Sequence, residues 1–283
     1  MEKKILIPTN FSKYAWNALM YGLAVYKHQA CTFFLFHSFH SQNFLGENIS
    51  LLKESVGETA KEKSEHGLDK QLKGLSFRKE NPRHQFQTIS YQGSLTEGLQ
   101  EAVDTHGIDL ILMGAPGDNA AIHSAYDNNI SRVIEKLENC PVLVIPETIQ
   151  LSGNEEREIV FPTNFRNGFK MRELTALVDL SSFLNAAVRV LYINTDNKEM
   201  TEEQELQKEN LASLLSDIDH SFHILTKTNV TTGVHLFIES RESDLLALYK
   251  RKQGFFSKLF NQAVIEEVDF NTNVPILILK EMS

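Results

Sequence analysis

Short, almost continuously apolar runs recur along this chain, separated by longer stretches of helical or polar character. In the first half these runs read ILIP, CTFFLF, LILM and VLVI. Strands of a parallel sheet that is covered by helices on both faces have this pattern, because both sides of each strand are buried, whereas half-exposed strands alternate between apolar and polar residues. The pattern therefore predicts an α/β fold.

The stretch after the first run has the spacing of an amphipathic helix. Four large apolar residues recur there at i, i+3, i+4 and i+7 and so share one helix face: Trp16, Leu19, Met20 and Leu23. Ser12 precedes them and is a suitable N-cap, because its hydroxyl can accept a hydrogen bond from a free backbone N–H of the first turn. We expect this face to pack on the sheet.

The same reasoning predicts strands alternating with helices in both halves of the chain. In the first half we expect strands at 3–8, 31–38, 84–91, 109–114 and 141–146, and helices at 12–27, about 50–73, 95–106 and about 128–138. In the second half we expect strands at 158–162, 187–193, 221–226, 244–249 and 275–279, and helices near 167–183, 201–218, 232–239 and 262–270. Thr201 with Gln204 fits a capping box, which supports the start of the second of these helices.

Three blocks of the first half recur in the same order in the second half. KKILIPTNF (3–11) corresponds to REIVFPTNF (157–165), DLILMG (109–114) to DLLALY (244–249), and NCPVLVIPE (139–147) to NVPILILKE (273–281). A repeat as long as an ordinary domain indicates domain duplication, whereas solenoid repeats are only about 20–50 residues long. We therefore predict a first domain at 1–147, a polar linker at 148–156 and a second domain at 157–283.

Composition and charge disfavour several classes of protein. The chain has 283 residues, 42% of them hydrophobic, and a formal net charge of −9 with acidic residues in excess in both halves. This charge disfavours nucleic acid or an anionic membrane as partner. Cys31 and Cys140 are too few and too far apart for a disulfide framework, and neither a signal peptide nor an apolar run of ~18 residues is evident. We expect a soluble, cytoplasmic protein with reduced cysteines that binds neither nucleic acid nor membrane.

The place of a ligand follows from the fold class. In such a sheet the crevice lies beyond the carboxyl ends of the strands, where the winding direction reverses, so the ends of the first and fourth strands should face each other. The segments there are KILIPTNFS and DLILMGAPG, and the half closes with ISRVIEKLENCPVLVIP. In this order they resemble the universal stress protein family, and the resemblance extends over both halves, as in tandem members. It implies two tandem Rossmann-like domains of the adenine nucleotide alpha hydrolase type, each a five-stranded parallel sheet in the order 3-2-1-4-5 with helices on both faces.

The resemblance also implies where a nucleotide would bind. Nucleotide-binding members use the acid after the first strand near the ribose, the backbone after the second strand near adenine, and the motif G-x2-G-x9-G-[ST] for the phosphates. Glycine leaves the backbone N–H groups of such a loop open to phosphate. Carried over to the first half, the implied nucleotide-binding residues are Thr9, Asn10, Ser38, Gly114, Gly117, Asn128 and Asn129.

The first half departs from this motif at three positions. Asn10 replaces the family's Asp, Asp127 stands in place of the third glycine, and Asn128 stands in place of Ser or Thr. A carboxylate beside phosphate oxygens is unfavourable, since two like charges ~4 Å apart repel by ~4 kcal/mol at an effective dielectric constant of ~20. We therefore do not expect ATP or AMP as a cofactor, and keep their binding by the first domain as the alternative.

The second half departs further. Tyr249 and Lys252 stand in place of the first two glycines, and Gln262 and Ala263 in place of Gly-Ser. The same segment carries a cluster of basic residues: Lys250, Arg251, Lys252 and Lys258. We favour the interpretation that this cluster is a solvated loop, because short charge runs are common on protein surfaces. The alternative is a site for an anion or a partner protein. The neighbouring Phe255, Phe256, Leu259 and Phe260 have a spacing typical of packing, so we expect them to fill the vacated crevice or to form an interface, not to bind a ligand.

Nothing in the sequence indicates a catalytic or metal site. His37 with His40, and His220 with His223, have i, i+3 spacing, but residues three apart on a strand point to opposite faces and no further ligands complete a shell. No G-x-S-x-G elbow is present, and Cys140 begins an apolar strand and is expected in the core. We therefore expect no catalytic residue, no metal and no enzyme activity.

Three functions stay open. The favoured one is a non-catalytic stress-response and interaction module with degenerate nucleotide sites, the alternative is an ATP or AMP sensor through the first domain, and the third is a slow ATP hydrolase or phosphate-transfer enzyme. Single-domain relatives commonly dimerise through the last strand, which implies that VLVI (142–145) and ILIL (276–279) pair in an intramolecular pseudo-dimer. The resemblance also leaves open that two whole chains form a homodimer and that the chain binds another protein.

Overall fold

The first half of the chain forms strands and helices in strict alternation. The computed structural model describes residues 2–40, 59–116, 125–151, 156–251 and 274–282. The elements of the first half are β1 (Lys3–Pro8), α1 (Lys13–Val25), β2 (Cys31–Phe39), α2 (Ala60–Ser76), β3 (His84–Gln92), α3 (Leu95–His106), β4 (Leu110–Ala115), α4 (Ala125–Lys136) and β5 (Val142–Pro146). All predicted strands of this half are present within one or two residues of their expected bounds.

The second half repeats the alternation. Its elements are β6 (Arg157–Pro162), α5 (Met171–Leu184), β7 (Ala186–Asn194), α6 (Glu202–Leu214), β8 (His220–Thr226), α7 (Val230–Arg241), β9 (Leu245–Lys250) and β10 (Ile276–Lys280). The helix expected near 262–270 lies outside the described residues. The predicted capping box at the start of α6 is confirmed, because the Thr201 side chain accepts from the Gln204 N–H and the Gln204 side chain accepts from the Thr201 N–H.

All ten strands belong to one continuous sheet in the order β3-β2-β1-β4-β5-β10-β9-β6-β7-β8. Each half contributes the expected order 3-2-1-4-5 with parallel neighbours. The halves join where β5 and β10 pair antiparallel, with Val144 opposite Ile276 and Leu143 opposite Leu277. Each half thus supplies the predicted five-stranded parallel sheet. The predicted pairing of the two final strands joins these sheets into one, since each end strand supplies the hydrogen-bonding edge that the other lacks.

Helices cover both faces of this sheet, as expected. One apolar layer contains residues of α1, α2, α5 and α6, and the other contains residues of α3, α4 and α7. The inner strands are buried on both sides, whereas the edge strands β3 and β8 are partly exposed. Cys31 and Cys140 are both free and buried, which confirms that Cys140 lies in the core.

Helix α1 packs on the sheet through a different face from the predicted one. Ser12 is its N-cap, as expected, and accepts from the Ala15 N–H. Of the four predicted residues only Leu19 is fully buried; the deepest positions also include Ala15, Ala18 and Gly22. Small residues are required there because a Cβ on Gly22 would lie 2.7 Å from Leu112. The large side chains Trp16, Met20 and Leu23 turn instead toward α2.

Helix α2 begins later than expected. A capping box between Thr59 and Glu62 precedes Ala60, and the helix extends to Ser76. The expected start near residue 50 lies outside the described residues. Its buried face carries Ser64, Leu68 and Gln71 and packs on β2 and β3. Two of these three residues are polar, and they bring hydrogen-bonding groups to the carboxyl ends of the strands.

Candidate functional site

The repeated PTNF segment forms the same turn at the end of β1 and of β6. The Thr9 and Thr163 hydroxyls accept from the N–H of Phe11 and Phe165, at 2.9 and 3.3 Å. The following Asn side chain also accepts a backbone hydrogen bond in both copies, from Ser12 in the first and from Arg166 in the second. The repeat is therefore a local turn in which Thr and Asn satisfy backbone donors.

Both turns hold a phenylalanine in the left-handed region. Phe11 has φ 63° and Phe165 has φ 53°, a conformation that costs about 1–2 kcal/mol for a residue other than glycine. Packing offsets this cost. Phe165 is fully buried against Tyr192 and Phe222, whereas Phe11 is 39% exposed and stacks on His37 with a centroid distance of 4.5 Å.

A chain of polar groups lies behind Phe11. His37 Nδ1 is 2.9 Å from the Ser64 hydroxyl, which is 2.7 Å from the Ser90 hydroxyl. Burial lowers the pKa of His37, which favours the neutral imidazole. Gln71 donates through Nε2 to the Thr9 hydroxyl at 2.9 Å. These α2 residues were not predicted from the sequence; their polar or small character on the inward face of a predicted helix was the available signal.

The structure brings four of the implied nucleotide-binding residues to one edge of the sheet. Thr9 and Asn10 follow β1, Ser38 lies near the end of β2, and Gly114 lies near the end of β4. Asn10 is already engaged, because its amide donates to the Tyr14 hydroxyl at 2.7 Å while its carbonyl accepts from Ser12. Asn129 lies in the second turn of α4. Gly117 and the side chain of Asn128 lie outside the described part of the structure.

Gly114 has a packing role that its motif position does not reveal. A Cβ at this position would lie 2.1 Å from the Tyr14 carbonyl oxygen, well inside van der Waals contact. The glycine therefore allows the first turn of α1 to lie directly on β4. In the first half, helix α1 begins four residues after Thr9 as a result.

Tyr249 occupies the corresponding position in the second half and changes the local structure. Helix α5 begins only at Met171, eight residues after Thr163. The longer turn carries Phe169, whose ring meets the ring of Tyr249 edge to face at 5.0 Å. The guanidinium of Arg251 lies over both rings, 4.8 Å from the Tyr249 centroid and 5.4 Å from that of Phe169.

Backbone contacts fix this aromatic cluster in place. Arg251 donates to the carbonyl oxygens of Gly168 at 2.9 Å and Asn167 at 3.4 Å. Burial, with a smaller effect of Glu173, raises the pKa of Tyr249. The side chains of Phe169, Tyr249 and Arg251, which we call the aromatic plug, thus lie together at the carboxyl ends of β6 and β9. The plug that we expected from Phe255, Phe256, Leu259 and Phe260 falls outside the described residues.

The basic cluster makes contacts inside the protein where it is described. Lys250 donates to the carbonyl oxygens of Ile134 and Glu135, at 2.9 and 2.8 Å, and Lys280 also donates to Ile134. These are the last carbonyls of α4, a helix of the first half, and cations are favourable at a helix C-terminus. Lys250 and Arg251 are therefore not simply solvated, contrary to the favoured prediction; Lys252 and Lys258 lie outside the described residues.

Within the described ranges, no group of three or more His, Cys, Asp or Glu side chains is placed to hold a metal ion. The paired histidines have other partners. His37 bonds to Ser64, and His223 bonds through Nε2 to the Ser221 hydroxyl at 2.8 Å. Among the same residues, no helix is long and apolar enough to span a membrane.

Comparison with known proteins identifies the family. A solved universal stress protein from Archaeoglobus fulgidus DSM 4304 is similar with a TM-score of 0.68 at 14% identity, covering 99% of this chain and 97% of that one. A functionally unknown protein from Pseudomonas aeruginosa PAO1 has a TM-score of 0.59 at 13% identity, covering 98% and 92%. These likenesses concern the fold alone, and the comparison with curated proteins found no match. Because the universal stress protein family model matches residues 1–146, more than half of the 283 residues, the chain belongs to the universal stress protein family.

Proposed function

We propose that this chain is a non-catalytic interaction module of the universal stress protein family whose two nucleotide crevices are degenerate. The aromatic plug is the observation that carries the proposal. It brings three large side chains together at the carboxyl ends of β6 and β9, the edge of the sheet at which the family binds phosphates through open backbone N–H groups. We expect these side chains, with the two hydrogen bonds that hold Arg251, to hinder a triphosphate at this edge.

The first-half crevice supports the same proposal less strongly. The Asn10 amide and carbonyl are both used within the turn, so a ribose hydroxyl would compete with existing hydrogen bonds. Asp127 adds a negative charge at the position of a phosphate-binding glycine. We infer that this half has a low affinity for ATP.

Nucleotide sensing through the first half is the second candidate. It is favoured by Gly114, which is retained, and by the Thr9 turn, which lies at the carboxyl edge beside it. In this reading AMP or ATP would bind to the first half alone. A slow hydrolase is the third candidate, and no contact among the described residues specifically favours it.

Co-purification distinguishes these candidates. We expect protein purified without added nucleotide to show a pure-protein ultraviolet spectrum and no nucleotide by mass spectrometry. One adenine nucleotide per chain would support the sensor instead. Turnover of Mg-ATP above background that is lost in Gly117→Asp would support the hydrolase.

Restoring the motif tests the charge argument separately. In the double variant Asp127→Gly/Asn128→Ser, we expect ATP affinity to rise by about tenfold, because a like charge is removed from the phosphate site. Calorimetric titration of both proteins measures the change. An affinity that does not rise at least several-fold would show that Asp127 is not what weakens binding.

A further inference from the structure

A second cavity lies outside the nucleotide crevice, between the start of α1 and the face of α2. Its volume is about 570 Å³, within the range of small-molecule sites. The residues that line it come from the turn after Asn10, from α1 and from α2, and not from β2 or β4. The cavity is therefore formed between the two helices and the turn, and not by the strand ends that form the β1–β4 switch point.

Aromatic rings form its apolar wall. Trp16 and Phe11 both line the cavity. Gly67 of α2 holds no side chain against the Phe11 ring, since a Cβ there would lie 2.3 Å from it. Trp16 rests against α2 at Gly74, where a Cβ would lie 3.0 Å from its ring. Both rings are thereby held in position by glycines, and aromatic faces of this kind favour stacking with a planar ligand.

Cations surround the same space. Lys13, Lys63 and Lys70 line the cavity together with His66, and none of the described lining residues is acidic. Within the described part of the chain, these three lysines have no ion-pair partner. In a chain with a net charge of −9, this is a local site that attracts anions.

A buried amide lies at the margin of the cavity. Gln71 lines the cavity and is only 9% exposed. Its Nε2 donates to the Thr9 hydroxyl at 2.9 Å, so it holds the turn after β1 against α2. Its Oε1 is itself shielded from solvent, and we therefore do not count it among the groups that would contact a ligand.

We propose that this cavity binds an organic anion that carries a flat aromatic ring. The ring would stack on Trp16 and Phe11, and the anionic substituent would meet Lys13, Lys63 and Lys70. The site uses a pocket between helices, whereas the proposed function concerns the crevice at the strand ends. The two ideas can therefore fail independently.

The chain provides its own reporter for this site, because Trp16 is its one tryptophan. The probe is anilinonaphthalene sulfonate, a flat aromatic anion that absorbs where tryptophan emits. We expect saturable binding to the native chain, with quenching of Trp16 emission and sensitised emission from the probe. Absence of saturable binding, or binding that leaves Trp16 emission unchanged, overturns the proposal.

Two triple variants separate the site from the overall charge. Lys13→Gln/Lys63→Gln/Lys70→Gln removes the cavity cations, and Lys27→Gln/Lys73→Gln/Lys136→Gln removes three exposed lysines that do not line the cavity. We expect the first to weaken binding by about tenfold or more and the second by less than about twofold. Equal effects of the two variants overturn the proposal.

The need for a ring is tested by competition. Inorganic phosphate has the charge without the ring, and naphthalene sulfonate has both. We expect naphthalene sulfonate to displace the probe from Trp16 and phosphate not to do so at matched ionic strength. Displacement by phosphate alone contradicts the assigned ligand class. Circular dichroism and the thermal midpoint of each variant verify that the fold is retained.

Discussion

Gly114 lies where β4 passes closest to the first turn of α1. Its missing side chain leaves room for the Tyr14 carbonyl, which lets α1 begin four residues after Thr9, while Tyr249 in the second half is accompanied by a longer turn. The glycine is therefore required by packing, whether or not a phosphate binds nearby. This is why a glycine motif alone does not establish a nucleotide site.

Substituting Gly114 tests this packing role. We expect Gly114→Ala to reduce the free energy of unfolding by about 1–3 kcal/mol or more, since the new Cβ would overlap a backbone atom that cannot move aside alone. Gly168→Ala is the matched control, because its Cβ would meet only the flexible end of Gln207. Urea denaturation measures both, and equal stabilities of the two variants would refute the packing role.

The two copies of the PTNF turn should differ in their contribution to stability. Phe165 is fully buried, so Phe165→Ala is expected to cost about 3–5 kcal/mol of unfolding free energy. Phe11 is 39% exposed and packs on His37 and Gly67 with only part of its ring buried, so Phe11→Ala should cost clearly less. The comparison uses urea denaturation of both variants. A larger loss for Phe11→Ala would contradict this account of the turns.

At the scale of elements, the C-terminus of α4 joins the two halves. Lys250 and Lys280 face each other across the β9–β10 pair and both donate to the last carbonyls of α4. Burial, with a further effect of Lys250, lowers the pKa of Lys280 from 10.5 to about 7. Burial also lowers the pKa of Lys250, although Glu135 opposes this. Both lysines thus bind the C-terminus of α4, and both have a lowered pKa there.

This lowered pKa predicts a dependence of stability on pH. Between about pH 7 and 10.5, folded Lys280 loses its proton while the unfolded chain keeps it, so the free energy of unfolding should rise with pH, by up to about 1.4 kcal/mol per unit. Below this window both states are protonated and the effect is constant. Lys280→Met removes the titrating group. We expect native stability to increase relative to this variant from pH 7 to 9; a constant difference would contradict the lowered pKa.

The helix faces show where sequence patterns reach their limit. The strands were predicted well, because continuous apolar runs leave few alternatives. The packing face of α1 was predicted wrongly, because hydrophobic spacing selected its largest residues, Trp16 and Met20, whereas the contact with β4 selects its smallest, Ala18 and Gly22. The spacing of apolar residues identifies a helix, but the distance between the helix axis and the strands decides which side of the helix packs on the sheet.

At the scale of the whole molecule, duplication explains both the architecture and what could be foreseen of it. The recurring blocks predicted two equivalent halves, and the antiparallel pair β5–β10 joins them into one sheet. The position of the crevices followed from topology. Their contents did not, because the longer turn before α5 is what brings Phe169 to Tyr249 and supplies the carbonyl oxygens that hold Arg251. The cavity beside Trp16 was likewise invisible, since it is formed by two helices whose relative placement no local pattern specifies.

The central claim is that both nucleotide crevices are degenerate, and equilibrium dialysis of the native chain against labelled ATP with Mg²⁺ tests it most directly. The account predicts far less than one ATP bound per chain at a nucleotide concentration that saturates nucleotide-binding members of the family. One ATP per chain, lost on Gly117→Asp, would show that the first half is a working site. Two ATP per chain would mean that the aromatic plug opens, and would contradict the account outright.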